Sequence, residues 1–139
     1  MNSQAIFEDV KSQFDSLWST KQRGEVLEVS TPFATTNNKF ISVFIEKDKN
    51  GDKDDYIISD GGWLAGGEYE SYPNKMNCAS PTYAKIFNYF KEELLIHPMI
   101  VKGMPTYLKS VNRKDLIAGA VHDLAHFLSV VVSAAEIKF

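Results

Sequence analysis

FISVFIEKDKNGDKDDYIISDGGW, running from Phe40 to Trp63, joins two β-rich runs through an acidic turn and leaves through a glycine-rich exit. Phe40 to Lys47 is β-branched and aromatic, and Tyr56 to Ile58 repeats that character, which is the composition of half-buried strands. Asn50-Gly51 lies between them and suits a turn whose central residues take positive φ. The stretch therefore predicts a β-hairpin, and the rest of the chain is organised around it.

On its N-terminal side, Ile6, Phe7, Val10, Phe14, Leu17 and Trp18 recur at helical spacing, with Glu8, Lys11, Ser12 and Asp15 largely opposite. This predicts an amphipathic helix from Asn2 to about Ser19. Gly24 supplies a stop, Glu25 to Ser30 reads as a first strand ending near Pro32, and Thr31 to Asn38 is a polar, turn-rich loop.

On the other side, Asp60-Gly61-Gly62-Trp63 is followed by Gly66-Gly67, four glycines in seven residues. No regular element favours that density, so the backbone here is sharply bent or closely approached. Glu68 to Ala79 reads as a long irregular span, of the kind that often carries function. Ser80-Pro81 is a helix start, a hydroxyl cap followed by proline at the first helical position. Tyr83, Ile86, Phe87, Phe90 and Leu94 line one face until His97-Pro98 ends that helix. Met99 to Val101 and Thr106 to Leu108, around Gly103, suggest a short second hairpin. Asn112, with Asp115 three residues on, caps a final helix whose buried face is Leu116, Ile117, Ala120, Val121, Leu124, Phe127, Leu128 and Val131. The expected fold is α+β: a single domain over residues 1–139 in which a small antiparallel sheet, three strands plus a short second hairpin, packs with three helices.

Composition bounds the function. A chain of 139 residues with 44% hydrophobic and 12% aromatic residues can bury a core of its own, about two-thirds of its unfolded surface, without metals or disulfides. The single cysteine, Cys78, cannot form an internal disulfide, which fits a reducing compartment. The N-terminus lacks a basic region followed by an apolar run, and no apolar run approaches the roughly 20 residues of a membrane helix. These features point to a cytoplasmic protein with no membrane partner. A net charge of −3 argues against direct nucleic-acid binding, which rests on concentrated Lys and Arg.

The run ValSerThrProPhe at Val29 to Phe33, the strand PheIleSerValPheIle, the run TyrIleIleSerAspGlyGly at Tyr56 to Gly62 and the helix after Asp115 together resemble a bacterial and phage family, the domain of unknown function numbered eighteen twenty-eight. The resemblance covers most of the chain. It implies a prokaryotic origin, often in mobile or prophage genes, and carries no settled activity.

Three patterns carry chemistry. His122-Asp-Leu-Ala-His126 places two imidazoles at i and i+4 on one helix face, where one metal could be held by both, with Asp123 standing where zinc hydrolases carry glutamate. Against this, Asp is one methylene shorter, and Glu136 is too close in sequence to be the usual third ligand. Asp48, Asn50, Asp52 and Asp54 alternate as in a calcium loop, but the sixth and twelfth positions are Lys53 and Ser59 rather than Gly and Glu, so a solvated hairpin tip is the better reading. Asp60-Gly61-Gly62 lacks the spacing of a phosphate loop. Cys78 with a histidine finds no support as a nucleophilic pair.

The aromatics Trp63, Tyr69 and Tyr72 fall in the same irregular region as the glycines. Large rigid side chains outside a periodic element often mark a binding surface. The expected function is a non-catalytic interaction module with Asp60, Gly61, Gly62, Trp63, Tyr69 and Tyr72 as binding surface and no cofactor. Its partner is expected to be a protein, a basic or nucleic-acid-handling one suiting the acidic charge, with a homodimer as a second option. The alternative is a metal-dependent hydrolase using His122 and His126.

Overall fold

A computed structural model describes residues 2–36, 38–69 and 81–137, the side chains of 81–84 and 135–137 excepted. The expected loop from residue 70 onward, with Tyr72 and Cys78, and the expected Ser80 cap lie outside the described residues. The strands are β1 (Ser19–Arg23), β2 (Val26–Ala34), β3 (Phe40–Lys47), β4 (Tyr56–Ser59), β5 (His97–Val101) and β6 (Met104–Val111). The helices are α1 (Ser3–Asp15), α2 (Trp63–Gly66), α3 (Pro81–Glu93) and α4 (Ile117–Ile137).

The fold is α+β, but the expected sheet of three strands with a separate hairpin and three helices is corrected. One six-stranded sheet runs in the order β1-β2-β3-β4-β6-β5, antiparallel at each pairing, and α2 is a fourth helix. The second hairpin belongs to the same sheet because β6 pairs with β4, from Tyr56↔Val111 to Ser59↔Leu108. Such a pairing leaves no local mark in the sequence. β1 escaped notice because all five of its residues, Ser-Thr-Lys-Gln-Arg, are exposed, so no apolar alternation announces it.

Three local expectations change with it. Gly24 does not stop the helix, which ends near Ser16; at φ 63° it turns β1 into β2. β2 continues past Pro32 to Ala34, with a register shift between Ser30 and Ala34 that accommodates the proline, as bulges do. Asn112 does not cap the last helix. A 3-10 turn, Lys114–Leu116, precedes α4, and its flanking Arg113 makes no side-chain cap bond but an ion pair with Asp115.

The β3–β4 hairpin is present, paired from Lys47↔Tyr56 to Phe44↔Ser59. Its glycine serves another purpose than expected. Neither Asn50 nor Gly51 has positive φ; a Cβ on Gly51 would instead stand 2.5 Å from Asp55 Oδ2, so the tip needs glycine for room. The two-residue turn with positive φ at both positions is Lys102-Gly103 (50° and 78°), between β5 and β6, matching the twist of the strands it joins.

α4 lies across the sheet. Alternation in β3 and β4 sends Ile41, Val43 and Ile58 to the same core as Ala120, Val121, Leu124, Ala125, Phe127, Leu128, Val131 and Val132 of the helix, as period 2 meeting period 3.6 requires. Lys114–Ala134 is long and apolar enough to cross a membrane by composition, and here its apolar face packs on the sheet. Leu116, expected on that face, is exposed. α3 covers α4 through Phe87 and Phe90, whose rings lie 6.2 and 5.3 Å from that of Phe127, while Tyr107 of β6 approaches Phe127 from the sheet at 5.3 Å. Phe127 thus joins three elements. We expect Phe127→Ala to lower unfolding free energy by about 3–5 kcal/mol, measured by denaturant titration; a loss under about 1 kcal/mol would contradict this packing.

Candidate interaction surfaces

Asp60, expected to face a ligand, is completely buried. Its backbone N–H donates to Tyr107 O at 3.0 Å, continuing the β4–β6 ladder one step past Ser59. Its carboxylate collects three backbone donors: Tyr107 N at 2.9 Å and Gly62 N at 3.0 Å on Oδ1, and Leu64 N at 3.2 Å on Oδ2. Burial pushes its pKa above the usual carboxylate value, against the opposing pull of those N–H groups. Gly61 and Gly62 then take φ 64° and 79°. A Cβ on Gly61 would stand 2.5 Å from the Phe44 ring, and one on Gly62 2.9 Å from Met104 Cγ, so the pair is needed both for conformation and for room.

The same segment closes a gap in the sheet. β4 ends opposite Phe44, leaving the backbone of Ser42, two residues before it on β3 and paired with Ser30 of β2 on its other side, without a strand on its β4 side. The Tyr69 hydroxyl fills that place: it accepts from Ser42 N at 3.0 Å and donates to Ser42 O at 3.1 Å. Trp63 packs between Phe44 and Tyr69, with ring centroids 5.2 and 6.0 Å away. The structure therefore brings Asp60, Gly61, Gly62, Trp63 and Tyr69 together, as a plug in the fold. Asp60 and Tyr69 offer no surface, Gly62 is buried, Trp63 is half-buried, and Gly61 alone is exposed.

His122 and His126 are exposed on α4, their rings 6.2 Å apart. Phe33 stands 6.1 Å from His122 and Phe90 5.2 Å from His126, and Phe33, Ala125 and Ser129 complete a groove of about 200 Å³ beside them. Asp123 is occupied elsewhere, its Oδ2 2.6 Å from Lys109 Nζ. Among the described residues no three His, Cys, Asp or Glu side chains are grouped so as to hold a metal ion. At the hairpin tip, Asp48 Oδ1 accepts from Asn50 N at 3.0 Å and Asp55 Oδ2 from Asp52 N at 2.8 Å; both carboxylates brace the turn.

Two other regions, neither of them among the expected binding residues, present apolar surface. The first is the outer hairpin. Every residue of β5 is exposed, with Met99 at 55%, Ile100 at 67% and Val101 at 40%, and Met104 across the turn at 40%. The opposite edge, β1, presents Lys21, Gln22 and Arg23, the charged guard that discourages edge pairing. Lys102 and Pro98 are all the comparable protection that the β5 hairpin has.

The second is α1. Asn2 caps it, accepting from Gln4 N and Ala5 N at 3.1 Å, yet none of its residues is buried. It leans on the body through Phe14 against Trp18, and Trp18 against Phe33. Ile6, Phe7, Val10, Phe14 and Leu17 are between 43% and 61% exposed. A signal for this was present, since the helix is amphipathic, but amphipathicity does not say what covers the apolar side.

No family model matches the chain, and no curated protein or solved structure matches it. The surfaces are therefore interpreted from their own geometry.

Burial, with Asp60 and Glu68 nearby, raises the Tyr69 pKa well above the ordinary tyrosine value. A group whose pKa is raised by folding contributes stability that is full below its unfolded value, about pH 10, and falls as pH rises beyond it. Tyr69→Phe should cost about 1–3 kcal/mol at neutral pH by leaving both Ser42 groups unpaired. It should also remove one proton's worth of the alkaline loss of stability. Denaturant titrations at pH 7 and above pH 10 check both, and a neutral Tyr69→Phe would contradict the bridge.

Proposed function

We propose that the chain is a non-catalytic protein-interaction module that takes a strand of a partner protein onto β5. One observation carries this reading: the sheet has a charged edge at β1 and an apolar, fully exposed edge at β5. An edge strand offers unpaired N–H and C=O groups to an incoming strand, and the side chains beside it choose which strand fits. Pro98 removes one donor, which limits the register a partner can take. Met99 and Met104 add adaptable apolar contacts.

The acidic net charge of −3 favours encounter with a basic partner, a nucleic-acid-handling protein included. The resemblance of Val29 to Phe33 and Tyr56 to Gly62 to the bacterial and phage family supports a setting in the prokaryotic cytoplasm, as a regulator or counter-defence protein acting on a host protein. The residues from Asp60 to Tyr69 act in this reading by holding β6, and with it β5, to the rest of the sheet.

Ile100→Lys places a charge on the exposed edge without touching the core. We expect it to keep the native melting temperature within a few degrees and to abolish co-purification of a partner from the native host, while Lys21→Glu on β1 leaves co-purification intact. Equal recovery with both variants would overturn the assignment to β5.

A further inference from the structure

We propose that α1 is a self-association helix, against which the α1 of a second copy of this chain packs. Phe7, Val10 and Phe14 follow one another at intervals of three and four residues within α1, the a/d spacing of a helix that pairs with its like, and exposed Leu17 lies just beyond the helix end. Ile6 borders this seam on one side, and Trp18, past the helix end, packs against Phe14 at its foot. On a helix of 3.6 residues per turn, Glu8, Asp9 and Asp15 all fall on the far side, so two copies meet seam to seam without opposing their acids.

The helix also lacks support of its own. It has 13 residues, none buried, and an isolated helix of about that length is marginal in water. Burial of the seam against a second copy supplies what the body of the protein does not. The polar side of α1 decides against a membrane surface as occupant: it carries Glu8, Asp9 and Asp15 against the single Lys11, where interfacial helices present Lys and Arg.

Area sets the strength. Taking about 200 Å² for a large apolar side chain, the four exposed residues of α1 with Leu17 just beyond its end present on the order of 400–500 Å² per copy. A standard interface buries about 800 Å² per partner. The seam alone is therefore that of a reversible dimer, extended at the foot of the helix by half-buried Trp18 and Phe33. An isologous contact of this kind closes as a two-fold dimer and leaves β5 free.

Sedimentation equilibrium of the full chain over a wide concentration range tests this, with Val10→Glu, exposed in the monomer, as the variant. The weight-average mass should rise from the 15.7 kDa of one chain toward twice that value, and Val10→Glu should weaken association about tenfold or more. Ile100→Lys should leave the dimer unchanged, which separates this proposal from the one on β5. A monomer at every concentration would assign the seam to a different partner and overturn the proposal, as would a dimer indifferent to Val10→Glu.

Discussion

The buried carboxylate of Asp60 ties the end of β4, β6 and the turn into α2 to one another, at the end of the ladder where the two halves of the sheet meet. Through Tyr107 it joins the end of β4 to β6, and with them the first four strands to the last two. Through Gly62 and Leu64 it fixes the turn into α2, and that turn delivers Leu64 to the core and Tyr69 to the open flank of β3. A buried charged acceptor with three backbone donors is strong because each donor would otherwise lie unpaired in a low dielectric. The arrangement also explains its neighbours: only glycine fits beside the Phe44 ring and Met104 while the chain doubles back.

Because the Asp60 to Tyr69 segment serves the fold, binding character has to be sought where apolar side chains remain exposed. β5 and α1 meet that description at separate places, one an edge that a strand can extend, the other a helix seam that a like seam can cover. The two differ in what they ask of a partner. Strand addition draws on backbone hydrogen bonds and tolerates varied side chains, whereas helix pairing draws on matched apolar spacing.

Much of the fold was legible in the sequence because it is periodic. β3 and β4 alternate, α1, α3 and α4 repeat at helical spacing, and the structure has each of them. β1 has no apolar residue to alternate, and the β4–β6 pairing joins residues about fifty apart, so neither could be read locally. The Asp60-Gly61-Gly62 turn was expected to be either sharply bent or closely approached, and it is both. Its role was not legible, since one of the groups that occupies the carboxylate, the Tyr107 N–H, is 47 residues away. Likewise His122 and His126 do share a helix face, but Asp123 turns to Lys109, a partner on another element. The exposed state of α1 was hidden for a related reason: spacing reveals an apolar face and leaves its covering to tertiary structure.

The most direct test is amide hydrogen exchange of the native protein, read at Ser42, Gly62, Leu64 and Tyr107. If Asp60 and Tyr69 hold the sheet together, these four amides exchange only on global unfolding, as slowly as those of β3. Exchange at the rates of an exposed loop would contradict the account, and would return the Asp60 to Tyr69 segment to the surface as a candidate binding loop.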